Sequence, residues 1–245
     1  MIQPRIVSAR QGAGWLAAGW RLFRAAPFGW LAAIVTYWFA MSLVSLVPLA
    51  GGAAAIVLVP AFSLGFMSLA RAVARGGPLE LARLFDGFRH HWRSQAILGL
   101  AYFIAFGAVL LASSLADGGV LARWILVGER PSPEALEAEG MLGAAALAAA
   151  GYLPVMAAFW FAPPLAAWHA LAPAKALFFS FFACLMNWRA LLAYGALAAA
   201  VTLPLALSLG FGAPLFVALL MLVLPVLFAS FYASYDDVFG YHQPE

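Results

Sequence analysis

Residues 213–235 read APLFVALLMLVLPVLFASFYASY, twenty-three positions without a charged side chain. At 1.5 Å per helical residue the run covers about 34 Å, enough to cross the ~30 Å hydrocarbon core of a bilayer. Segments of the same kind lie at 28–50, 53–73, 95–116, 141–168 and 190–210. Composition agrees: 66% of the chain is hydrophobic, 9% is charged and the mean hydropathy is +0.96. Globular domains are roughly 45–50% apolar and about 25% charged. The expected fold class is an all-α integral membrane protein with six transmembrane helices, residues 1–245 forming one membrane domain.

The first apolar run follows an Arg-rich stretch and is too long for a signal-peptide core, so it reads as an uncleaved signal anchor. Ser132-Pro133-Glu134 carries a helix-start signal, an N-cap followed by proline, and is expected to open the fourth helix outside the bilayer. Orientation follows from the cations. Eleven of the 13 basic residues precede span one or lie between spans two and three or four and five, while only Arg123 and Arg130 fall on the other side. The positive-inside rule therefore puts both termini in the cytoplasm and loop 117–140 outside. At 24 residues that loop is too short for an enzyme domain.

FDGFRHHWR, Phe85–Arg93, is the most polar stretch between spans. Leu81, Leu84, Phe85, Phe88 and Trp92 recur at three- and four-residue steps, with Arg83, Asp86, Arg89, His90 and Arg93 on the other face. This pattern predicts an amphipathic helix on the cytoplasmic surface, with Arg89, His90, His91, Trp92 and Arg93 at headgroup level. Adjacent histidines point about 100° apart on a helix, and Asp86 is the single carboxylate within reach of His90, so no metal site is expected. His169 has no evident partner in the sequence. Cys184, the single cysteine, reads as a small helix-packing residue.

The pattern recurs. WLAAGWRLFRAAPFGW, before span one, places Trp20, Arg21 and Arg24 on a second interfacial helix, and APAKALFFSFFACLMNWR, before span five, forms a third copy tucked against the bundle because it carries few charges. Pro60, Pro154 and Pro225 are each followed six residues later by Phe66, Trp160 or Phe231. Three units of one interfacial helix and two spans are therefore expected, at 8–74, 78–170 and 173–235, related by a rough three-fold axis along the membrane normal. The three prolines should kink their helices at a common centre, freeing the carbonyls of Ile56, Ala150 and Met221, with Ser63 and Ser230 or an enclosed water as the donors available. In GAAALAAAG, the face bearing Gly143, Ala146 and Ala150 is expected to pack, so Ala146→Leu should harm the fold more than Ala148→Leu.

WRLFRAAPFGWL, PAFSLGFM and GFRHHWR together resemble a group of six-span proteobacterial inner-membrane proteins and, more distantly, the YciC-like membrane proteins. The resemblance covers most of the chain and implies a bacterial inner membrane, without catalytic residues to carry over.

Proton- or ion-coupled transport calls for ionisable groups at depth, and the six spans offer none at mid-depth; Tyr37, Ser42, Ser45, Ser63, Ser113, Ser114, Thr202 and Ser208 are among their polar residues. A nucleophile with its base, paired carboxylates or a histidine cluster does not converge either, so the chain is expected not to be an enzyme and to need no cofactor. The reading is a structural, assembly or lipid-binding inner-membrane protein whose partners are membrane lipids or other membrane proteins and not nucleic acid. The alternative is an uncoupled passage for a small neutral or apolar solute.

Overall fold

The structure is a computed structural model that describes residues 3–48, 50–89 and 91–240. The described residues are helical and contain no strand. Six helices are long and apolar enough to cross a membrane. They are α2 (Pro27–Ser45), α3 (Gly51–Ala74), α5 (Trp92–Asp117), α8 (Glu139–Trp160, continued after a break by α9, Ala162–Trp168), α11 (Trp188–Ser208) and α12 (Ala213–Phe239). The remaining helices are α1 (Ala9–Ala25), α4 (Asp86–Arg89), α6 (Val120–Val127), α7 (Pro133–Glu137) and α10 (Pro173–Met186). Large side chains such as Phe39, Leu111, Leu115, Leu142 and Phe211 are exposed along the spans, where hydrocarbon can take the place of a protein neighbour. The amide of Arg5 donates to the carbonyl of Val238 at 2.9 Å, which brings the two ends of the described chain to the same end of the bundle.

Ser132 caps a helix as expected, its hydroxyl accepting from the amide of Ala135, yet that helix stops after Glu137. Ala138 turns extended and α8 starts afresh at Glu139. At the other end the chain breaks at Phe161, ahead of Pro163-Pro164. Ser180 of α10 enters that break. Its hydroxyl donates to the carbonyl of Ala157 at 2.8 Å and accepts from the amide of Phe161 at 2.9 Å, standing in for the missing i to i−4 bond.

The segments ahead of spans one and three pack on protein where surface helices were expected, and the one ahead of span five is tucked against the bundle as expected. Residues 78–93 form no continuous helix: a 3₁₀ turn, Leu81–Phe85, is followed by α4, and Trp92 already begins α5. The middle of this segment's apolar side turns to protein, Phe85 and Phe88 packing against the core, while Leu81 and Trp92 stay exposed. Leu84 is fully buried, and a Cβ on Gly65 would collide with the carbonyl of Leu84, as one on Gly87 would with that of Ala61. Alternation of apolar and polar residues states that one face is covered, and α3 covers it. In α1 the buried stripe is Gly12, Trp15, Gly19 and Phe23. Gly12 lies against Ala190 of α11, and Gly19 against Val226 and Ser230 of α12, with no room for a Cβ at either. α10 packs on α8 and α9. Each segment thus docks on an even-numbered span: the first on the sixth, the second on the second, the third on the fourth.

The packing face of α8 is rotated from the expected one. Ala146 and Ala150 are exposed, whereas Met141 and Ala144 are buried and Ala148 packs against them. Gly140 and Gly151 meet Ala116 and Val109 of α5 on that same side. The run is small nearly all round, so residue size could not choose the face. Ala148→Leu should accordingly destabilise the protein by about 1–3 kcal/mol, with Ala146→Leu close to neutral. Thermal unfolding of the two variants in detergent is the check.

Candidate functional site: a mid-depth aromatic cavity

Pro60, Phe62, Ser63 and Phe66 sit near the middle of α3 and border a cavity of about 250 Å³. Tyr37 of α2 closes one side, its ring edge-on to Phe62 at 5.0 Å and Phe66 at 5.4 Å. Phe66 stacks on Phe228 of α12 at 4.0 Å, and Phe231 meets Trp160 of α8 edge-on at 4.5 Å. The far wall is Tyr102, Tyr152, Met156 and Phe159, the two tyrosine hydroxyls lying 2.7 Å apart. Pro163 completes the lining, and its carbonyl accepts from Nε2 of buried Gln95 at 3.1 Å. Oε1 of Gln95 is buried with no partner among the described residues.

Phe66, Trp160 and Phe231, the aromatics six residues after each proline, all reach this cavity; the prolines do not converge. Pro60 lines it and Pro225 is buried elsewhere, while Pro154 faces outward. Each helix continues through its proline. Ser230 does not serve the carbonyl of Met221, because its hydroxyl donates to that of Leu227 at 2.6 Å and also meets the Tyr194 hydroxyl at 2.6 Å. Ser63 makes no hydrogen bond among the described residues and opens onto the cavity. Most other span hydroxyls bond back to their own helix, as Ser45, Ser113, Ser114, Thr202 and Ser208 do.

A cavity walled by aromatic edges with a few hydroxyls favours an apolar guest with at most a weakly polar group. Pockets that take whole drug-sized ligands run to about 300–1,000 Å³, so this one suits part of a larger amphiphile.

The expected headgroup residues lie apart from the cavity. Trp20, Arg21, Arg24, Arg89, Trp92 and Arg93 are exposed, and His91 is half-buried just before α5. His90 lies outside the described residues, and with it the proposed pairing to Asp86. Arg93 stands over the Trp92 ring at 5.5 Å and Arg189 over Trp188 at 5.3 Å, a matched arginine–tryptophan pair at the start of two spans.

The end of the bundle shared by both chain ends is tied by polar groups that sequence reading left unpaired. Asn187, fully buried, accepts from the amide of Val7 at 2.8 Å and donates to the carbonyls of Arg5 and Ala183. Asp237 accepts from Nε1 of Trp15 at 2.7 Å and lies 3.8 Å from Arg5. His169 has a partner after all: its Nε2 lies 2.6 Å from the Tyr235 hydroxyl. Burial first, and the positive charge of Arg71 second, hold the His169 imidazole below its ordinary pKa. The unfolded chain therefore binds the proton more readily, and stability contributed by neutral His169 is complete above about pH 6.5 and declines as pH falls below it. Thermal unfolding at pH 7.5 and 5.5 should show a drop in the wild type that shrinks in His169→Gln.

Against known proteins, the chain is 42% identical over 195 residues to a probable inner membrane protein of Burkholderia thailandensis, covering 77% of this chain and 72% of the relative. No family model matches, and no solved structure matches.

Proposed function

Since the chain belongs to the inner-membrane protein family of its Burkholderia thailandensis relative, we propose that it is a non-enzymatic protein that binds lipid or a membrane partner, its mid-depth cavity seating the apolar part of a bound amphiphile. The cavity carries this reading. It lies at the level of Pro60, halfway along α3, where acyl chains are the surrounding medium, and its walls are aromatic and uncharged. A phospholipid with a photoreactive diazirine on its acyl chain should label cavity residues between Phe62 and Phe66 and between Tyr152 and Met156. Ser63→Phe, which fills the space, should reduce that labelling about tenfold. Labels confined to outward residues such as Leu111 and Leu153 overturn the reading.

A second reading, uncoupled passage of a small neutral solute, draws on the hydroxyls of Tyr37, Ser63 and Tyr102 at the cavity. Solute-driven swelling of proteoliposomes that Ser63→Phe abolishes would favour it. We further read the chain as three units, 8–74, 78–170 and 173–235, with both termini in the cytoplasm. Reporter fusions after residue 130 should be active outside the membrane, and those after residues 85 and 180 inside.

A further inference from the structure

A second cavity, of about 420 Å³, opens between α1 and the last turns of α3 and α12. Trp15 and Arg21 of α1 face Tyr232, Asp236 and Asp237 of α12 across it, with Ala74 at its edge. Both signs of charge therefore line one groove, at the end of the bundle where Arg5 meets Val238. Arg21 and Asp236 are exposed and form no ion pair with each other. Asp237 is engaged by Trp15 and Arg5. Asp236 accepts the Tyr232 hydroxyl at a long 3.4 Å, which leaves most of its acceptor capacity for a ligand, and Arg71 lies within electrostatic range of it.

We propose that this groove binds the headgroup of a zwitterionic phospholipid bearing a primary amine, the phosphate toward Arg21 and the ammonium toward Asp236. The proposal rests on the lipid-binding reading above and names the headgroup class. An anionic headgroup without an amine would set its phosphate beside Arg21 but give Asp236 no donor beyond the distant Tyr232 hydroxyl, and a lone cation would meet Arg21. A zwitterion answers both signs. A primary ammonium has N–H groups to donate to the Asp236 carboxylate, giving short charge-assisted hydrogen bonds, whereas a quaternary ammonium has none.

The test uses the full chain in nanodiscs of equal parts phosphatidylethanolamine, phosphatidylcholine and phosphatidylglycerol, with retained lipid counted by native mass spectrometry. Phosphatidylethanolamine should exceed each of the others about fivefold, and Arg21→Gln or Asp236→Asn should bring the ratio near one, with Asp236→Glu restoring it. Thermal unfolding of each variant separates loss of the groove from loss of the fold. Preferred phosphatidylglycerol or phosphatidylcholine, or a preference that survives Asp236→Asn in folded protein, overturns the proposal. Displacement of the retained lipid by soluble phosphoethanolamine at equal concentration also overturns it, since the ligand is then water-soluble. Diazirine labelling of the central cavity should be unchanged in Arg21→Gln, so the two sites fail independently.

Discussion

Gly19→Leu should release α1 from the bundle. The new side chain would start where the carbonyl of Val226 and the backbone of Ser230 already stand, and neither is the free end of a flexible group. Overpacking of this kind costs about 1–3 kcal/mol when the structure can adjust, and more when backbone must move. Adjustment here means separating two helices, so Trp15 and Phe23, buried at 2% and 7% exposure, lose their cover together. Gly14 is the control, since a Cβ there meets nothing within 4 Å and alanine is the better helix former by roughly 1 kcal/mol. Gly14→Ala should leave the protein unchanged or firmer. Limited proteolysis and thermal unfolding read the difference; a Gly19→Leu protein as resistant as wild type would falsify the docking of α1.

The second large effect is expected at Asn187. Its amide links the start of the chain to the junction of α10 and α11, serving one donor and two acceptors among the described residues. Leucine fills a similar volume but returns none of these bonds, and the amide of Val7, itself buried, is left without its acceptor. Each abandoned buried group costs about 1–3 kcal/mol. Asn187→Leu should therefore cost at least as much as Gly19→Leu. Amide exchange at residues 5–8 should rise in this variant well before global unfolding, because the strand-like lead into α1 has lost its anchor.

The spans were legible because bilayer thickness sets their length. The runs read at 53–73 and 213–235 fall within α3 and α12, which extend only a few residues beyond them. Pro163-Pro164 follows the break in α8, and the Ser180 hydroxyl that fills it, from another helix, had no local signal. The central cavity was half visible. Phe66, Trp160 and Phe231 stood out by their spacing, yet Tyr102 and Tyr152 are 50 residues apart and look like ordinary aromatics of their spans. Pro154 misled because proline is common in membrane helices, and a proline facing lipid reads like one facing a core. Most of what was missed shares one cause: an amphipathic pattern records that a face is covered, and lipid headgroups and a neighbouring helix cover it equally well. Trp15, Leu84 and Gly87 could be assigned to protein only once α12 and α3 were seen beside them.

The docking of α1 on α11 and α12 sets an order of events during synthesis. The helix that leaves the ribosome early among the described elements finds its partners only when the last two spans have followed, about 10–40 s later at 5–20 residues per second. Throughout that interval the stripe of Trp15, Gly19 and Phe23 has the membrane surface as its nearest apolar neighbour, with Arg10, Arg21 and Arg24 directed to water or phosphate. The amphipathic sequence thus has a place to wait on the nascent chain, and closure of α1 onto α12 is the step that joins the two ends of the described residues.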